Sequence, residues 1–154
     1  MILWRISNHS ALDGGGGLRG SGRWHTRGHR VVYCAPNPAT ALLEILVHAE
    51  VDLTDLPTTF RYLEIDVPDE TGSETIDTAV LGPNGLASLE GTQRAGHEWL
   101  RSGRTALLRV PSVIVPATWN ALINPLHPHS AGIRVARIHR HPIDSRLSDK
   151  RRPR

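Results

Sequence analysis

With 154 residues, a single cysteine and a formal charge of only +3, the chain is sized for one domain with a core of its own. An intramolecular disulfide is excluded, no run of 18 apolar residues can form a transmembrane helix, and the charge is too small for a dedicated nucleic-acid binder. The apolar stretch in MILWRISNHS is too short for a secretory signal, so a cytoplasmic protein is expected.

In chain order, ILWRI reads as a first strand and ALDGGGGLRGSG as a glycine-rich loop. RVVYCA, β-branched at its start, reads as a second strand. Asn37-Pro38 then marks a helix start, with Asn at the N-cap and Pro at the first helical position, and the helix is expected to run to His48 or Ala49. In TTFRYLEIDV the apolar Leu63, Ile65 and Val67 alternate with Glu64 and Asp66, which predicts a strand. DETGSETIDTAVLGPNG reads as loop. LASLEGTQRAGHEWLRSG reads as a helix broken or bent near Gly91 and Gly96. TALLRVP, SVIVP and GIRVARIH read as strands. The elements follow no regular βαβ rhythm, so the expected class is α+β, a central mixed or antiparallel sheet flanked by helices. Residues 1–148 are expected to form the domain and residues 149–154, DKRRPR, a basic tail.

All but one of the 18 Lys+Arg residues are arginine, the exception being Lys150. Arginine suits bidentate recognition of phosphate or carboxylate, although a genome's base composition produces the same bias. Residues 15–20, GGGLRG, match G-x-G-x-x-G but lack the strand before and the helix after that a dinucleotide fingerprint needs. The histidine pairs His25/His29, His127/His129 and His139/His141 fall in no zinc-ligand spacing, and no metal is expected. Cys34 reads as a small buried residue. Within the helix after Pro38, Thr40, Glu44 and His48 are four apart and form one narrow polar stripe on an otherwise apolar surface. The stripe is either a solvent face or the lining of a cleft.

Four blocks, GRW, VVYCAPNPATALLEILVH, LRVPSVIVP and WNALINPLHP, occur in an order that resembles the RES domain, a family named for an Arg, a Glu and a Ser. The resemblance runs from LWRI to IDSRL. It implies Arg23, Glu44 and Ser112 as catalytic residues and Tyr33, Trp24 and Asn120 as substrate-binding residues, with Asn124 in the same block as Asn120. His25 stands where the family commonly has asparagine. The family implies a fold related to ADP-ribosyltransferases and consumption of NAD as substrate, with no resident cofactor. Nicotinamide would leave by hydrolysis or phosphorolysis, or ADP-ribose would pass to a protein. It also implies the toxin half of a pair whose Xre-type helix-turn-helix antitoxin masks the active site; a homodimer is left open, as is a non-catalytic module binding a nucleotide or protein. The residues suit that chemistry. A carboxylate beneath the ribose stabilises an oxocarbenium-like state, Arg23 clamps pyrophosphate or partners Glu44, Tyr33 stacks on a ring, and Ser112 orients Glu44 or the ribose. Arg19, Arg23, Arg27 and Arg30 are expected to line the opening.

Overall fold

The computed structural model describes residues 1–48 and 57–148. Among these residues, seven strands are arranged in two sheets. Strands β1 (Ile2–Ile6), β3 (Thr59–Asp66) and β7 (Arg134–Pro142) form an antiparallel sheet in the order β1-β3-β7. Strands β2 (Val32–Cys34), β6 (Trp119–Ile123), β5 (Leu107–Pro111) and β4 (Ser73–Thr75) form the other in the order β2-β6-β5-β4, with only β4 and β5 parallel. The α+β class therefore holds, but the sheet is divided in two. An antiparallel bridge, Trp4 to Ala35, joins the halves.

Period-two alternation explains the packing. Leu3, Leu63 and Ile65 of one sheet meet Val32, Leu107, Ala121 and Ile123 of the other in a common core. The opposite face of the three-stranded sheet, with Ile6, Phe60 and Tyr62, is covered by helix α2 (Pro38–His48). The opposite face of the four-stranded sheet, with Leu108, Val110 and Leu122, is covered by helix α3 (Leu89–Ser102). The layers thus run helix, sheet, sheet, helix.

The start of α2 follows the expected chemistry: Asn37 Oδ1 accepts from Thr40 N at 2.8 Å, a cap of the kind worth about 1 kcal/mol. Ala49 lies outside the described residues, as does the tail at 149–154. Helix α3 runs from Leu89 to Ser102 without the interruption that was one of the two alternatives, a break or a bend, expected near Gly91 and Gly96. Both glycines face inward, and a Cβ on Gly96 would collide with the carbonyl of Trp24, one on Gly91 with that of Leu81. Close packing requires them.

Other differences have local causes. The glycine run forms a short helix, α1 (Gly15–Arg19), entered through Gly14 in the left-handed region. Strand β4 lies in a segment read as loop, because a three-residue polar edge strand carries no apolar alternation. SVIVP is a turn. Ser112 Oγ accepts from Ile114 N at 3.1 Å and Val115 N at 3.2 Å, which removes those donors from any ladder, and Ala117 takes φ 56. The strand falls instead on WNALI, read as part of a motif and not as an element. A last short helix, α4 (Ser145–Ser148), follows β7.

Candidate active site

Where the two sheets meet at the Trp4–Ala35 bridge, a cavity of about 340 Å³ opens. That is within the range of small-molecule sites, roughly 300–1,000 Å³. Its walls come from β1, α1 and the loop after it, β2, one face of α2, and Asn120 of β6. Ala41, Glu44, Ile45 and His48 of α2 all line it, the 0, 3, 4, 7 spacing of a single helix face. The polar stripe is therefore a cleft lining at Glu44 and His48, while Thr40 lies outside the lining.

Glu44 is held by two side chains far away in sequence. Asn120 Nδ2 donates to its Oε1 at 2.7 Å and Ser112 Oγ donates to the same oxygen at 3.2 Å. The direction of the serine bond is fixed: its oxygen already accepts the Ile114 and Val115 amides, so its hydrogen goes to Glu44. Both donors sit on Oε1, which leaves Oε2 unclaimed by either. Oε2 lies 3.6 Å from His48 Nε2. Ser112 is buried and does not line the cavity, so its place is behind Glu44. Asn120 reaches the lining, and its Oδ1 is buried without a hydrogen-bond partner. Asn124 serves the fold instead, its Oδ1 accepting from Leu126 N at 3.1 Å in the turn after β6.

The segment Gly22–His25 contributes Gly22, Arg23 and His25 to the wall. Arg23 lines the cavity and is anchored at Nη1 to the Leu86 carbonyl at 3.3 Å. Gln93 of α3 holds the segment by donating to Gly22 O at 2.9 Å. A Cβ at Gly22 would come within 2.7 Å of the Tyr33 hydroxyl, so the strip follows the phenol as closely as backbone allows. Tyr33 lines the cavity and its hydroxyl accepts from Trp24 N at 3.0 Å. Burial pushes its phenol far above the usual value, so it acts as a neutral group.

Trp24 does not reach the cavity. Its indole is 3% exposed and packs with Leu81, Ala95 and Trp99 under α3, so the expected contact with a substrate is corrected to a core role. The aromatic wall is Trp4, tilted against His139 with ring centroids 5.5 Å apart. Arginine supply is corrected in the same way. Arg5 and Arg23 line the cavity; Arg19, Arg27 and Arg30 do not, and Arg30 Nη1 is turned to the Asp13 carbonyl at 2.8 Å. No arginine pairs with Glu44 among the described residues. Trp4 and Arg5 were missed because ILWRI declares a strand but not which of its neighbours ends in a cleft. Cys34 touches the cavity, but burial pushes its thiol up to about 12, which makes it a poor nucleophile. Among the described residues no three His, Cys, Asp or Glu side chains are grouped to hold a metal ion, and no helix is long and apolar enough to cross a membrane.

The geometry can be set beside known proteins. The chain is 45% identical over 147 residues to "Toxin Res" of Pseudomonas putida, covering 96% of this chain and 99% of that protein. It is 36% identical over 163 residues to "Prs ADP-ribosylating toxin" of a Sphingobium species, covering 96% and 97%. Its fold resembles a chain in the structure of the MbcT–MbcA toxin–antitoxin complex of M. tuberculosis with a TM-score of 0.71 and 18% identity, covering 92% of this chain and 84% of that one. The model of the RES domain matches residues 2–144, which takes in both sheets, both covering helices and every residue of the Glu44 cluster, and the chain belongs to the RES domain family.

Proposed function

We propose that this chain is the toxin of a toxin–antitoxin pair and that it consumes NAD by breaking the nicotinamide–ribose bond. The observation that carries the reading is the Glu44 carboxyl, with Oε1 engaged by Ser112 and Asn120, lining the same cavity as Arg23. Nicotinamide leaves as a neutral base with the electron pair of the broken bond, so positive charge gathers on the ribose. Glu44, pinned before substrate arrives, stabilises that charge or holds the 2′-hydroxyl. Arg5 and Arg23 bind the pyrophosphate, and Trp4 and Tyr33 offer faces to the rings. Ser112 and Asn120 orient Glu44. NAD is the substrate in this scheme, and no resident cofactor is required. The protein then works where NAD is abundant, in the cytoplasm.

The names of the P. putida and Sphingobium relatives support a toxin, and the complex containing the similar fold supports an antitoxin partner. We assign that partner to the Xre type, with a helix-turn-helix domain and a segment that enters the cavity, so that inhibition weakens as NAD rises. A second reading, transfer of ADP-ribose to a protein, is favoured by the name of the Sphingobium relative. The test is to incubate the purified protein with NAD, with and without phosphate and with cell extract, and to identify products by mass spectrometry. ADP-ribose, its 1″-phosphate or a modified protein distinguishes the acceptors. NAD left intact under all three conditions overturns the reading.

A further inference from the structure

His25, the last residue of the Gly22–His25 strip, is 4% exposed and has both ring nitrogens engaged. Nε2 lies 2.8 Å from the carbonyl of Gly20, which can only accept, so Nε2 carries a hydrogen. Nδ1 lies 2.8 Å from the Tyr33 hydroxyl. That hydroxyl already accepts the Trp24 amide. In a neutral ring Nδ1 has only its lone pair, so Tyr33 must donate to it. Every direction in the chain Trp24 N–H to Tyr33 O–H to His25 to Gly20 C=O is thereby determined.

We propose that His25 is a positioning residue for the cavity: as the neutral Nε2–H tautomer it takes the Tyr33 hydrogen, and so fixes both the phenol and the Arg23-bearing strip against the bound dinucleotide. This rests on the NAD reading of the cavity. Tyr33 then turns a lone pair and a ring face, not a donor, toward the ligand. A proton on His25 reverses the relay, because both nitrogens donate and the Tyr33 hydrogen is displaced toward the cavity. The backbone carbonyls of Gly20 and Gly17 favour that proton, but burial and His29 outweigh them. Arg23 and His29 stand on its own segment, Tyr33 on β2, Gln93 and His97 on α3, and α1 contributes backbone only. Burial first, and then His29, lowers the ring's affinity for a proton, which agrees with a neutral resting state.

The relay predicts different outcomes for two isosteres. Asn at this position puts its amide oxygen near where Nδ1 lies and retains an acceptor for Tyr33; Gln reaches the Nε2 position and keeps the Gly20 contact but loses that acceptor. His25→Asn should keep the KM for NAD within about threefold of wild type, whereas His25→Gln should raise it about tenfold or more with kcat changed less than about threefold, the scale of one lost hydrogen bond. Two-bond ¹H–¹⁵N NMR of the wild-type protein at neutral pH should show the Nε2–H tautomer for His25. An Nδ1–H tautomer, an imidazolium, or equal KM values in the two variants overturns the assignment, as does a loss seen in melting temperature alone. If the wild type neither binds nor consumes NAD, the reading of the cavity falls, while the NMR measurement still decides the relay.

Discussion

The two covering helices are built on different plans. Helix α3 buries Gly91, Thr92, Ala95, Gly96 and Trp99 on one face and exposes Glu90, Arg94, Glu98 and Arg101 on the other, the ordinary arrangement of a helix that packs for stability. Helix α2 is mixed. Ala41, Leu42 and Ile45 pack on the sheet, Glu44 lines the cavity and His48 sits at its exposed edge, while Leu43 and Leu46 are only half-buried and Val47 is 53% exposed. A helix that turns a carboxyl inward and leaves apolar side chains partly outward gains less from burial. The contrast separates the part of the chain that holds the fold from the part that holds the chemistry, though α3 also reaches the site through Gln93 and the Gly96–Trp24 approach.

Truncation on α3 tests the structural half. Trp99 is 1% exposed and its indole nitrogen donates to Thr105 at 3.0 Å, so Trp99→Ala should cost about 3–5 kcal/mol in denaturant unfolding. Whatever protein remains folded should keep its turnover, and a matching fall in kcat per folded molecule would erase the distinction between the helices. The complementary change on α2 is Glu44→Gln. Turnover should drop by about 10²–10³-fold, the cost of one preorganised electrostatic group, with the melting temperature nearly unchanged. Near-full activity in that variant would demote the Glu44 cluster to scaffolding. A smaller loss is expected for Arg23→Lys, about tenfold in NAD affinity, because lysine lacks the planar fork; titration calorimetry reads it, and an unchanged affinity removes Arg23 from the ligand.

The smallest effect concerns pH. Burial lowers the pKa of His25 below its ordinary 6.5. Below that ordinary value the unfolded chain binds a proton that the folded ring refuses, so stability rises with pH across this window. The contribution is complete above about pH 6.5 and is lost as pH falls through the folded value. Urea midpoints of wild type and His25→Asn between pH 5 and 7.5 should therefore converge as the solution is acidified. Parallel curves would show that His25 titrates as it does in the unfolded chain.

Local signals were readable where one stretch of chain decides the outcome. Asn37-Pro38 starts α2 because the cap needs only the amide three residues on. Leu63 and Ile65 mark β3 because alternation is a property of the strand itself. The same narrow stripe brought Glu44 and His48 to notice, and the resemblance of four short blocks pointed to Arg23, Tyr33, Ser112 and Asn120 before any geometry was known. The cap, the alternation and the stripe travel with residue type and spacing, so the amino-acid order was enough for them.

Whether the stripe met solvent or a cleft was decided only in three dimensions, by Ser112 and Asn120 arriving 68 and 76 residues away to hold one oxygen of Glu44. The exchange of roles between Trp4 and Trp24 has the same origin. Both are tryptophans beside an arginine, but the bridge to Ala35 puts Trp4 at the seam of the sheets, and the glycine face of α3 draws Trp24 into the core. The fates of Arg5 and of Arg19, Arg27 and Arg30, the division of the sheet, and the His25 relay likewise follow from which segments meet. Residue type sets what a side chain can do, whereas burial and partners depend on contacts between distant parts of the chain, and no local pattern encodes those.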